Sequence, residues 1–250
     1  MHDAIELVRF YQDAYSQAPA DASRYSEWRA LGAVGKADHV VALCARAGLR
    51  PASVLEVGCG DGALLSELGR RGFARSLSGV EIAEPAVALA RARPGIDSVA
   101  LYDGRRLPLG EGAFELGILS HVLEHVPDPA SLLMEVARVC RSVIVEVPLE
   151  ANWSARRKGK RAIAAEVGHL QRLGREDVRR IVARAGLSTA AELEDPLPLR
   201  AHAFFAETPR ARARAGARWA LRRTVHGLAP GLARRVFTVH YACLCLPPVG

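Results

Sequence analysis

What this 250-residue sequence has little of narrows it first. Aromatic residues make up 6% of the chain, too few for the rows of stacked rings that grip single-stranded nucleic acid. No RNA-binding signature is recognisable either, so nucleic acid is not the expected partner. Five cysteines form no CxxC pair, which argues against a zinc ribbon or a dithiol redox centre. Cys243 and Cys245 alternate within an apolar run and so share one face of a strand, as buried reduced thiols. No apolar run is long enough to span a bilayer. The start, "MHDAIELVRFYQDAYSQ", is an amphipathic helix pattern with acids in it rather than a secretory signal. A soluble cytoplasmic protein is the expectation.

Acid is scarce in one region. Of the formal net charge of +7, much sits in "ARRKGKR" (Ala155–Arg161) and between Arg200 and Arg235. The latter holds Arg210, Arg212, Arg214, Arg218, Arg222, Arg223, Arg234 and Arg235, with Glu207 its only acid. Three readings stay open: a solvated helical face, a site for a phosphorylated or lipid-linked acceptor, or peripheral contact with a membrane through Trp219 and its apolar neighbours. Oligomeric state is not legible.

What is present reads as one α/β unit. Half the residues are hydrophobic, and 250 residues can bury a full core. The patterns predict strands at 53–57, 76–82, 97–103, 114–120, 142–148, 188–195 and 235–247. Helices are expected at 61–71, 85–93, 129–140 and 174–187, the last stopping at Gly186. Short apolar strands between helices imply a mostly parallel, doubly wound sheet covered on both faces. Residues 1–50 form a helical cap, 51–195 the core, 196–235 an Arg-rich helical insertion and 236–250 a closing strand.

The run "VLEVGCGDGALL" (Val54–Leu65) carries the chemistry. Three alternate glycines, Gly58, Gly60 and Gly62, follow a strand and open a helix, where open parallel sheets bind ligands. The spacing also fits a dinucleotide turn, with Glu81 placed for a ribose. The charges favour another ligand. Glu56 and Asp61 beside the turn would repel a pyrophosphate but suit a cation carrying an amino group.

Four motifs in order now point the same way. "VLEVGCGDG", "GVEI", "YDGRRLPLGEGAF" and "LGILSHVLEHVPDPASLLMEVARV" together resemble the class I S-adenosylmethionine-dependent methyltransferases of the type 11 methyltransferase-domain group. The likeness covers about 36–195 plus the closing strand, and is more distant to the ubiquinone-pathway O-methyltransferases. It implies a Rossmann-like seven-stranded sheet whose last strand is antiparallel. It also implies S-adenosylmethionine as cofactor, S-adenosylhomocysteine as product, and a cofactor set of Glu56, Gly58, Cys59, Gly60, Gly62, Glu81, Ile82, Asp103, Gly104, Ser120 and His121. Glu81 is expected on the ribose and Asp103 near the adenine amino group.

"SHVLEHVPDP" supplies His121, Glu124 and His125. On a helix the two histidines would share a face with Glu124 beside them. A neutral imidazole suits the removal of a hydroxyl proton near pH 7. Alternatively, Glu124 and His125 hold a divalent metal, as the related "E-x-x-E-H" run implies. Because His121 replaces the first acid of that run, no metal is favoured. A third reading has these residues merely orient the loop. His169 in "VGHLQRL" either faces the acceptor or lies on the surface, and Glu150 and Asn152 are candidates for acceptor hydrogen bonds at the same rim. Tyr11, Tyr15, Tyr25, Trp28 and Arg29 are expected to fold over the cofactor and exclude water, or simply to pack.

The expected function is methyl transfer to a small-molecule acceptor, most simply a hydroxyl of a glycan, lipid-linked or secondary-metabolite compound. RNA or protein methylation is the rival within the same fold; "LSHV" stands where amino-group methyltransferases carry an "NPPY"-type run. A cofactor-binding protein without catalysis, or a nicotinamide enzyme, is the rival outside it.

Overall fold

A computed structural model describes residues 4–16 and 22–248. Two helices come first, α1 (Ala4–Ser16) and α2 (Ala22–Arg46). The alternating part follows: β1 (Ser53–Val57), α3 (Ala63–Arg70), β2 (Ser76–Glu81), α4 (Glu84–Arg91), β3 (Ser98–Leu101), β4 (Phe114–Ser120), α5 (Pro129–Val139) and β5 (Cys140–Pro148). Next come α6 (Lys158–Glu166), α7 (Arg175–Arg184), β6 (Ser188–Asp195), α8 (Leu199–Ala203), α9 (Pro209–Leu228), α10 (Pro230–Val236) and β7 (His240–Leu246).

The sheet runs in the order β3-β2-β1-β4-β5-β7-β6, with β7 antiparallel to both neighbours and the other six strands parallel. Both faces carry buried apolar side chains, because successive strand residues point to opposite sides. In β5, Val143 and Val145 pack toward α5 and α7, whereas Ile144 faces the layer of α2 and α3. The apolar runs need no polar side, which is what a sheet covered by helices on both faces requires.

The chain leaves β1 toward β2 on one side and returns to β4 on the other, opening a crevice between them. The ends of β1, β2, β4 and β5 meet there. The reversed β7 adds its beginning to the same rim, since His240 pairs with Pro148 of β5 and Asp195 of β6.

Two sequence expectations change. The closing strand begins at His240, not Arg235, because Pro230 opens helix α10, which runs to Val236. His121, Glu124 and His125 are not on an α-helix. His121 has φ 60, and Leu123–His125 form a single 3-10 turn. The Arg-rich segment is helical as expected. It is tied to the fold by Arg234 on Glu194 (2.9 Å) and by Trp28 of α2 against Phe204 and Phe205 (both 5.2 Å between rings). Among the described residues no helix is long and apolar enough to cross a membrane.

Candidate active site

One cavity of about 650 Å³ fills the crevice. Its two ends differ in chemistry.

The glycine turn forms the first end. Gly58, Gly60 and Gly62 all have positive φ (73, 54 and 74), which side chains resist. Gly58 and Gly60 line the cavity, and a Cβ on Gly60 would stand 2.6 Å from the Tyr15 hydroxyl. Gly62 serves another purpose. Its Cβ would meet Ile96 at 2.7 Å and Ala90 at 3.1 Å, so it lets α3 close on α4 and stays outside the cavity lining. Glu81 ends β2 with its carboxylate accepting from the backbone N–H of Gly60 (2.8 Å), Ile82 (2.7 Å) and Ala83 (3.1 Å). Burial nevertheless pushes its carboxyl above the usual range. Cys59, Ile82, Gly104 and Ser120 join the lining, and burial keeps Cys59 a thiol. Asp103 does not join it: its exposed carboxylate accepts from the N–H of Arg105 and Arg106 and shapes their turn.

Neither carboxylate beside the turn presents the free charge that the sequence suggested. Asp61 is clamped by Arg29 (2.8 Å) and Arg93 (2.6 Å), so its charge is already answered. Glu56 is fully buried, its Oε2 has no hydrogen-bond partner, and burial pushes its carboxyl up to about 8. The turn is therefore nearly neutral near pH 7, with one orphaned carboxyl able to accept from an amino group. A wall of Tyr11, Tyr15, Trp28 and Arg29 roofs this end, with the Arg29 guanidinium over the Tyr15 ring (5.5 Å). The Tyr25 side chain lies outside the described residues.

Histidines form the second end. Among the described residues, five line the cavity: His39, His121, His125, His169 and His240. His125 Nδ1 donates to the carbonyl oxygen of Gly168 (3.1 Å). A carbonyl only accepts, so Nδ1 carries the proton and Nε2 keeps a lone pair. His169 Nδ1 donates to Glu150 Oε2 (2.8 Å), which orients its ring. Burial holds His125 below the usual histidine range, neutral near pH 7. Glu124 lies behind them, buried, with neither carboxylate oxygen in a hydrogen bond. Its backbone oxygen accepts from Leu170 and Gln171 and so docks the loop that carries His169. Asn152 is not an acceptor contact. Its amide braces Leu149, Thr238, Ser154 and Ala155 beneath the rim.

Glu146, His39 and His240 went unnoticed in the sequence. Glu146 on β5 is buried, and its Oε1 lies 3.2 Å from His39 Nδ1. Burial opposes a charge on His39, but its bonds to Asp195 and Glu146 outweigh that and raise it to about 9. An acid inside "VIVEVP" and a histidine inside "TVHYACLC" were the available signals, since an apolar strand seldom buries a charge without partners. Among the described residues two trios bring nitrogen and oxygen donors within 4.8 Å of one another, Glu124–His125–His169 and His121–Glu146–His240.

The chain matches a family model described as "Methyltransferase domain" over residues 25–192. It is 37% identical over 102 residues to the ubiquinone biosynthesis O-methyltransferase of Hahella chejuensis, covering 38% of this chain and 42% of that one. The matched stretch thus spans about two fifths of the relative's length. Among solved structures, an S-adenosylmethionine-dependent methyltransferase of Thermotoga maritima, described as a possible histamine N-methyltransferase, superposes with a TM-score of 0.65 at 15% identity. That match covers 97% of this chain and 100% of that one. A geranyl diphosphate methyltransferase with geranyl diphosphate and sinefungin superposes with a TM-score of 0.62 at 13% identity, over 86% and 78% of the two chains. At such identities the structures speak to the fold.

Proposed function

The chain belongs to the methyltransferase-domain family, whose cofactor is S-adenosylmethionine, and on that premise we propose that it methylates a hydroxyl of a small-molecule acceptor. One observation supports this reading above the others: a single cavity joins a glycine turn and a ribose-type carboxylate at one end to His125, an imidazole with a free Nε2, and its neighbour His169 at the other.

The residues fit the cofactor. Gly58 and Gly60 bring bare backbone to the cavity wall, where a Cβ would run into Val122 or the Tyr15 hydroxyl, the acceptor capacity that Glu81 keeps beside its three backbone N–H partners serves a ribose hydroxyl, and Glu56 offers its orphaned oxygen to an amino group. When bound, S-adenosylmethionine supplies an electrophilic methyl on a sulfonium. Tyr11, Tyr15 and Trp28 exclude water from that end, which protects such an electrophile. His125 takes the acceptor's hydroxyl proton at Nε2, making the oxygen a better nucleophile. The Gly168 carbonyl fixes the tautomer that makes this feasible. His169, with its ring centroid 4.7 Å from that of His125, holds the acceptor's other side or shares the role.

A second reading has one observation in its favour. The unpartnered Glu124 oxygens beside His125 and His169 could hold a divalent metal that polarises the acceptor oxygen. Chelator-resistant turnover would remove it.

The test of the primary reading is calorimetric titration with S-adenosylhomocysteine, with NAD as comparator. Wild type should bind the homocysteine and not NAD. Glu81→Ala should weaken binding about 10–100-fold, the scale of one lost hydrogen bond to a charged group. Equal affinity in the variant, or binding of NAD alone, would overturn it.

A further inference from the structure

His121, Glu146 and His240 have no part in the proton transfer above. They come from the turn after β4, from β5 and from the reversed β7. His121 Nε2 lies 3.2 Å from His240 Nδ1, His240 Nδ1 lies 3.6 Å from Glu146 Oε1, and His121 Nε2 lies 3.8 Å from the same oxygen. These three distances link the same three atoms. The point equidistant from them lies about 2 Å from each, which is the length of zinc–imidazole and zinc–carboxylate bonds, roughly 2.0–2.2 Å. We propose that His121, Glu146 and His240 form a binding site for one divalent first-row transition-metal ion, with its open side toward the cavity.

Other observations fit that assignment. The Nδ1 atom of His121 lies 3.3 Å from the Glu124 carboxylate, within ion-pair reach, while its Nε2 points to His240 and Glu146. A carboxylate behind the far nitrogen of a metal-binding histidine is the usual outer support. Around Glu146, His39 Nδ1 approaches Oε1 (3.2 Å) and Ser120 Oγ donates to Oε2 (3.4 Å), which fixes the carboxylate plane. His121 also holds φ 60, a left-handed backbone that costs a non-glycine residue about 1–2 kcal/mol. Its N–H donates to the Glu146 carbonyl (2.8 Å), so the strain aims this ring at this acid. Backbone strain of this kind gathers at functional sites.

The donor set selects the class of ion. Two imidazoles and one carboxylate suit zinc, cobalt, iron(II) or manganese. Calcium and magnesium prefer oxygen shells. Three protein ligands leave at least one position free, as in catalytic zinc sites. If the cavity takes a hydroxyl acceptor, which rests on the reading above, that position is where the acceptor oxygen would bind and lose its proton more readily.

The experiment uses the full chain, stripped with chelator and dialysed against cobalt(II), then against zinc with elemental analysis. Wild type should take up one ion per chain, with cobalt giving visible ligand-field absorption. His240→Ala and Glu146→Gln should weaken uptake at least ~100-fold, beyond the 10–100-fold typical of losing an outer support. His125→Ala and His169→Ala should bind as wild type does. Thermal unfolding checks each variant, and His240→Gln replaces His240→Ala if the latter fails to fold. No uptake by folded wild type would overturn the assignment. So would loss of the ion in His125→Ala with retention in His240→Ala, which would move it to the Glu124 trio, or equal loss in all variants. The outcome is independent of methyl transfer. An ion bound by a chain that ignores S-adenosylhomocysteine leaves this site standing and removes the proposed function; the reverse result does the opposite.

Discussion

The two ends of the cavity are built on opposite principles. At the glycine turn the carboxylates other than Glu56 have designated protein partners: Glu81 accepts three backbone N–H groups, and Asp61 is held by two arginines. At the histidine end, lone pairs and carboxylates face one another, and both oxygens of Glu124 lack a hydrogen bond. The first end is rigid and almost complete before any ligand arrives, as suits a cofactor that never varies. The second is defined only when protons, an ion or an acceptor settle which atom donates. Pre-organisation is invested where the ligand is constant, and adaptable donors are placed where it is not.

The sharpest way to break that comparison is His125→Ala. If the histidine end performs the proton transfer, turnover should fall about 100-fold or more, the scale of general-base catalysis, with S-adenosylhomocysteine affinity unchanged. Wild-type turnover in the variant would leave that end a recognition surface. A parallel loss of homocysteine affinity would mean that the two ends are not separable.

Gly62→Ala sharpens the comparison from the other side. The added methyl would sit at φ 74, 2.7 Å from Ile96 Cδ1 and 3.2 Å from the Ala90 backbone. Left-handed strain and overpacking together predict a loss of about 2–4 kcal/mol of stability. Denaturant unfolding measures it, and the folded fraction should still bind the homocysteine normally. Weakened binding without lost stability would put Gly62 in the site rather than in the helix packing beneath it.

The same contrast explains what the sequence made legible. Most of the first end comes from one stretch, Glu56 to Gly104, where strand, glycine turn and acid follow one another at fixed spacing. Local geometry dictates those residues, so they read directly. The second end draws on α2, the turn after β4, β5, the loop at His169 and β7. His39 and His240 are 201 positions apart and meet through Glu146 only because β7 runs antiparallel beside β5. No spacing rule encodes that. The one local rule applied there, a helical i,i+4 pair for His121 and His125, failed because His121 takes a left-handed backbone before a single 3-10 turn. Asp103 shows the converse. Its motif was plain, yet its carboxylate is spent on its own turn.

Glu56 gives the smallest predicted effect and probes the one unfinished group of the first end. Its carboxyl rises from 4.5 to about 8 on burial, so the folded state resists ionising it. Below about pH 4 both folded and unfolded chains keep the proton, and Glu56 contributes no pH dependence. Between 4.5 and about 8 only the unfolded chain ionises, and wild-type stability declines as pH rises. Above that window the penalty is full and constant. Glu56→Gln removes it but leaves a buried amide without partners at every pH, so the variant should be less stable than wild type at pH 4 and exceed it above pH 8. Because of that amide, the net gain above pH 8 should be about 1 kcal/mol, or roughly 2–4 °C in Tm. Adding S-adenosylhomocysteine should reverse the order, since its amino group stabilises the ionised carboxylate that only wild type can offer. A variant gain that is the same at pH 4 and pH 8 would mean that Glu56 is ionised in the folded chain, with its charge answered by another group.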